Sequence, residues 1–171
     1  PSYPYKFCKE SSHDCTIISN DTHLLGCDPT IINAGTGQSN IKTPAGGKKS
    51  VTFRIVRSTN GWIGIGLCHK KIVNTKHYDF EFSLIGHGCY MISANGGSWS
   101  HKDPENNNLV KVILLIILDF KFVEGDLITV SIDEEIKLIN FKKGIDSYKL
   151  SYESIEGDEL YPVVVLYYPE D

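Results

Sequence analysis

The sequence predicts an all-β fold, a two-sheet antiparallel sandwich, and three observations predict it. Apolar side chains recur at every second position through segments dense in β-branched and aromatic residues, as in Val51, Phe53 and Ile55. Turn residues break these segments at intervals of about ten residues, the spacing of short strands in a sandwich or barrel. Apolar stripes at helical spacing are nearly absent.

A chain of 171 residues falls within the usual range of one domain. That length buries roughly two-thirds of the unfolded surface, so a single core over residues 1–171 is expected. In the first part, Cys15–Ser19 and His23–Leu25 read as short strands, and Asn33 to Lys49 reads as a long loop rich in Gly, Thr, Ser and Asn. Ser50–Arg57 and Trp62–Cys68 read as two strands joined by a hairpin at Asn60-Gly61, because both central residues of a type I′ turn need positive φ. In the second of these strands Gly64 and Gly66 leave one face bare, which predicts a second layer packed against it. Further strands are expected at Cys89–Ala94, Leu109–Leu118, Leu127–Asp133, Glu135–Lys142 and Leu160–Tyr168. Asn95-Gly96-Gly97, Glu124-Gly125-Asp126 and Lys143-Gly144 supply breaks between them. Pro162 lacks an N–H, which predicts a sheet edge or a first position for it.

The overall chemistry excludes several classes of function. A net charge of −4 and a pI of about 5.9 give no broad basic field, so nucleic acid is not an expected partner. The longest apolar run, Val112 to Leu118, is bounded by Lys111 and Asp119 and falls well short of the roughly 20 residues that span a bilayer. It reads as a buried strand. The start of the sequence has no apolar stretch resembling a secretory signal, and with Met91 as the one methionine the domain is expected to be part of a longer chain. Five cysteines, Cys8, Cys15, Cys27, Cys68 and Cys89, form no CxxC pair, which predicts reduced thiols in cytoplasm or nucleus; the sequon Asn20-Asp21-Thr22 points the other way.

Catalytic chemistry finds little support. There is no G-x-S-x-G elbow, G-x-x-x-x-G-K loop or H-E-x-x-H pair. The neighbours Cys68-His69 and Ser100-His101 point to opposite faces of a strand and so do not make nucleophile and base. His69, His77, His87 and His101 match no metal-ligand spacing and are expected at the surface. No enzyme activity, cofactor or metal is expected.

From Ser50 onward a series of landmarks resembles the SPRY domain family. Gly61-Trp62-Ile63-Gly64-Ile65-Gly66-Leu67-Cys68 is similar to the family's glycine-alternating strand, and Asn95-Gly96-Gly97-Ser98-Trp99 to its mid-domain tryptophan segment. Phe122-Val123-Glu124-Gly125-Asp126-Leu127-Ile128 resembles the Gly-Asp turn that opens the next strand. Leu138 to Gly144 and Leu160-Tyr161-Pro162-Val163-Val164 complete the series. The match is good over about 50–168 and loose over 1–49, where Phe7 to Leu25 stands for the first strands. The resemblance implies a concanavalin-like jelly-roll sandwich that binds a partner peptide or protein surface through loops at one end, as an adaptor or as the substrate-recognition part of a ubiquitin ligase. It places Tyr168 at the family's groove tryptophan, Tyr167 beside it and Tyr78 at another groove aromatic. The tyrosine at 168 is a departure that touches the binding surface. Because Tyr167 and Tyr168 alternate in one strand, one of them must face the core. Arg57, Trp99 and Lys102 complete the expected partner-binding set of a monomeric domain. Two other readings stand beside this one: a structural subunit wedged into a large assembly, and a carbohydrate-binding sandwich.

Overall fold

The computed structural model describes residues 7–12, 15–18, 23–26, 30–34, 49–57, 62–75, 84–107 and 120–166. Twelve strands run through them: β1 (Phe7–Ser12), β2 (Cys15–Ile18), β3 (His23–Gly26), β4 (Thr30–Ala34), β5 (Lys49–Arg54), β6 (Ile63–His69), β7 (Cys89–Ser93), β8 (Ser98–Ser100), β9 (Leu127–Asp133), β10 (Leu138–Lys143), β11 (Asp146–Ser151) and β12 (Leu160–Leu166). They form a six-stranded sheet in the order β1-β4-β12-β6-β7-β8, a four-stranded sheet in the order β11-β10-β9-β5 and the small hairpin β2-β3. All pairings are antiparallel.

Alternation along the strands makes the main core. Ile63, Ile65 and Leu67 of β6 meet Ile128, Val130 and Phe141 of β9 and β10 in the principal buried cluster. The other face of the six-stranded sheet carries a second cluster, with Cys68, Met91, Trp99 and Val163 among its members. One short helix, α1 (Lys70–Thr75), lays Val73 into this second cluster; no helical signal in the sequence marks so brief an element.

Two expectations are corrected here. The strand pairing expected across Asn60-Gly61 is not made, because β5 pairs with β9 in one sheet while β6 pairs with β7 and β12 in the other; Asn60 and Gly61 themselves lie outside the described residues. The two strands lie in different sheets, and Val51, Ile55, Ile63 and Ile65 all belong to the principal buried cluster. The bare glycine face of β6 also turns away from the second sheet. A Cβ on Gly66 would stand 1.9 Å from the Tyr90 carbonyl oxygen, so glycine is demanded there by the backbone of β7. A Cβ on Gly64 would meet Met91 Sδ and Val165 Cβ at 3.5 Å, an ordinary contact.

Smaller differences have local causes. β10 begins at Leu138, not Glu135, because Asp133 Oδ1 accepts from Glu135 N (3.1 Å) and Ile136 N (3.3 Å) and Lys137 turns the chain at φ 56°. β12 is a central strand, yet its ladder with β4 starts only at Val163, so Pro162 has a strand neighbour on one side. The strand expected at Leu109–Leu118 lies outside the described residues.

Candidate interaction site

One end of the sandwich is built from loops that brace one another. Ile55 N donates to Asp126 O (3.0 Å) and Gly125 N to Ile55 O (2.8 Å), tying the exit of β5 to the turn before β9. Within that turn Asp126 Oδ2 accepts from Val123 N (2.8 Å), and Lys143 Nζ lies 3.9 Å from the same carboxylate while donating to Lys121 O. Phe122 N reaches Ala94 O (3.3 Å) and Ala94 N reaches Ile63 O (2.9 Å), so the ends of β6 and β7 join the same frame. Large apolar side chains project from it: Val56 is 60% exposed, Val123 63% and Leu127 56%. Arg57, Arg54 and Glu124 stand exposed around them.

Behind this end, Trp99 is nearly buried and meets the ring of Trp62 edge-on, centroids 5.9 Å apart. Its Nε1 donates to Ser93 Oγ (3.4 Å), whose hydroxyl lies 2.7 Å from Asn95 Oδ1 in the β7–β8 turn. Trp99 therefore fixes both the turn and the start of β6.

The opposite end holds a buried polar layer. His69, His87 and His101 are 1%, 1% and 8% exposed, not at the surface as expected, because they close the mouth of the core around Tyr90. His101 lies 5.4 Å from His69, 6.3 Å from His87 and 5.9 Å from Tyr90, centroid to centroid. The Tyr90 hydroxyl accepts from Glu153 N (3.2 Å) and lies 3.4 Å from His69 Nε2. His101 Nε2 pairs with Glu153 Oε1 (3.1 Å), and His69 Nδ1 faces Asp158 Oδ2 at 3.8 Å, neither of these two atoms holding a hydrogen bond. Burial lowers the pKa of His69 against the opposing pull of Asp158 and Glu153. Burial, then the neighbouring imidazole of His69, lowers that of His101. Burial raises the Tyr90 hydroxyl well above its usual range. Among the described residues no trio of His, Cys, Asp or Glu is arranged to hold a metal ion, and no helix is long and apolar enough to cross a membrane.

No protein-family model matches the sequence, and no curated protein matches it. Solved structures do. The SPRY domain of human HERC1 matches with a TM-score of 0.64 at 20% identity, over 96% of this chain and 91% of that one. The chain has the SPRY fold. The stonustoxin structure matches at a TM-score of 0.61 and 12% identity, over 94% of this chain and 25% of that one.

Within the SPRY sandwich the expected site residues fall at different places. Arg57 is exposed at the braced end. Lys102 is exposed too, but Tyr90 of β7 pairs with both Leu67 and Ser100, so β8 runs in the same direction as β6 on the far side of β7 and delivers Lys102 to the histidine end. A strand of seven residues separates the two levels by about 20 Å. Tyr78, Tyr167 and Tyr168 lie outside the described residues; Leu166, which precedes Tyr167, pairs with Ile63 at the braced end. Val56, Val123 and Leu127 were missed by sequence reasoning, although Val123 and Leu127 flank the Gly125-Asp126 turn already singled out. His87 and Cys89 were missed as a pair, although two residues apart in an extended chain share a face.

Proposed function

We propose that this domain is a protein-interaction module that docks a partner peptide or protein surface on the braced end of its sandwich. The observation that carries this reading is the exposure of Val56, Val123 and Leu127 where the exit of β5, the turn before β9 and the start of β9 are tied together by main-chain hydrogen bonds. Grouped exposed apolar side chains with a polar rim mark interaction surfaces, and preformed loops spare the ordering cost of binding. Arg57 supplies a charge at the rim, and whichever of Tyr167 and Tyr168 faces outward is the aromatic anchor of the proposed surface. Trp99 acts through Trp62 by holding this end in place, and Tyr78 belongs to the same surface. Lys102 stands at the far end of the sheet, outside this surface, and serves as the control.

In a longer chain the module serves as an adaptor or as the substrate-recognition part of a ubiquitin ligase. The SPRY fold supports the general reading, since the match to the HERC1 SPRY domain covers nearly the whole chain. Affinity capture from cell extract with the wild type, with V123D/L127D and with K102E tests it by quantitative mass spectrometry. Partners lost from V123D/L127D and retained by K102E support the braced end. An unchanged partner set from V123D/L127D overturns it.

A further inference from the structure

Cys68 and Cys89 are partners in the β6–β7 ladder. Rungs of an antiparallel ladder alternate between hydrogen-bonded pairs and closer pairs without hydrogen bonds, and the bond from His69 N to Gly88 O (2.7 Å) makes the adjacent rung the first kind. Cys68–Cys89 is therefore the close kind, with a Cα separation of about 4.5 Å, inside the window of roughly 4.4–6.8 Å that a disulfide spans. Both thiols point to the glycine-bearing face, fully buried beside Met91, Val73 and Val163, and they hydrogen-bond to each other.

The surroundings make the two sulfurs unequal. Burial raises Cys68 well above its ordinary value. Burial also pushes Cys89 up, but the hydrogen bond from Cys68, with the imidazole of His87 beside it, outweighs this and brings that thiol down to about 7. His87 is fixed next to Cys89, with its Nδ1 accepting from Cys89 N (3.0 Å) and its Nε2 lying 2.9 Å from Asn107 Oδ1. Leu84 and Ile85, just upstream of Cys89, are 63% and 49% exposed, and the backbone at Gly88 lies close to Ile72 of α1. Access to the buried thiols requires this short segment to open locally from α1.

We propose that Cys68 and Cys89 form a redox pair that closes into a cross-strand disulfide when the domain meets hydrogen peroxide. The Cys89 thiolate attacks the terminal peroxide oxygen and the O–O bond breaks. A sulfenic acid forms on Cys89 and the departing oxygen leaves as water after taking up a proton. The sulfur of Cys68 then attacks the Cys89 sulfur, the S–O bond breaks, and the hydroxyl departs with the Cys68 proton as a second water. The two thiols supply the two electrons that reduce the peroxide.

The test treats the native domain with hydrogen peroxide, alkylates it under denaturing conditions and maps unreduced peptides by mass spectrometry. The expected result is a Cys68–Cys89 linked peptide that dithiothreitol reverses. C68A is expected to carry Cys89 on to sulfinic acid, and H87Q to slow linkage several-fold with the same final product. Oxidation raises the thermal midpoint of the wild type by several degrees and leaves that of C89S unmoved. The proposal is overturned if both thiols alkylate as in the untreated control after added glutathione in the same tube has been oxidised, or if Cys89 is found linked to Cys8, Cys15 or Cys27.

Discussion

Gly66 and Gly64 sit two residues apart in one strand and answer to different constraints. A methyl group at Gly66 collides with main-chain atoms of β7, while at Gly64 it touches only side chains at contact distance. G66A is expected to lose more than about 3 kcal/mol, beyond the usual cost of overpacking, while G64A stays within about 1 kcal/mol of wild type. Urea unfolding of the two variants side by side measures the difference. His69 and His101 give a second expectation at this scale. Their folded pKa values lie below the ordinary 6.5, chiefly through burial, so at and below that pH the unfolded chain binds more protons than the folded one. Stability therefore rises with pH through this window and is lost as pH falls from about 7 towards 5.5. The urea midpoint measured across that range is expected to drop, and to drop less in H101Q.

At the scale of elements, β8 is three residues long and is anchored chiefly by one side chain. Trp99 bonds the β7–β8 turn through Ser93 and packs on Trp62, so W99A is expected to cost about 3–5 kcal/mol, read from its denaturation midpoint. Elements with strong alternation were legible in the sequence: Leu127–Asp133 was expected with the bounds that the structure shows, because Ile128, Val130 and Ile132 alternate with Thr129 and Ser131. β11 was not, since Asp-Ser-Tyr-Lys-Leu-Ser buries only Leu150 fully and forms a polar edge, as sheet edges commonly do. The partner of β5 was also illegible. An Asn-Gly pair signals a turn, but which strands pair is decided by the burial of Val51, Ile55 and Ile63 in one core, and that choice is not local.

For the whole molecule, two chemically different ends are held apart by one strand length. The braced end is apolar and exposed, and its proposed role was legible only in part. Arg57 was named from the sequence, while the exposed valines and leucine look like strand residues until the sheets are assembled. The histidine end was misread as surface because burial at the mouth of a sandwich has no periodic signature in sequence. Y168A is expected to weaken partner binding by at least about 1 kcal/mol in titration calorimetry while the unfolding midpoint holds; equal loss of both would make Tyr168 a core residue. The same assay on V123D/L127D reports whether the apolar cluster and the tyrosine belong to one surface.

The order of the larger sheet also governs how the chain is made. Strands β4 and β6 have no ladder with each other, and both wait for β12, more than ninety positions downstream of β6 in order of synthesis. A nascent chain on the ribosome therefore carries β6, β7 and β8 as a half-sheet with an open edge until β12 emerges. Chaperone engagement during translation is expected to persist until that moment, and ribosome-bound chains halted before Leu160 should remain protease-sensitive where those halted well past Leu166 resist.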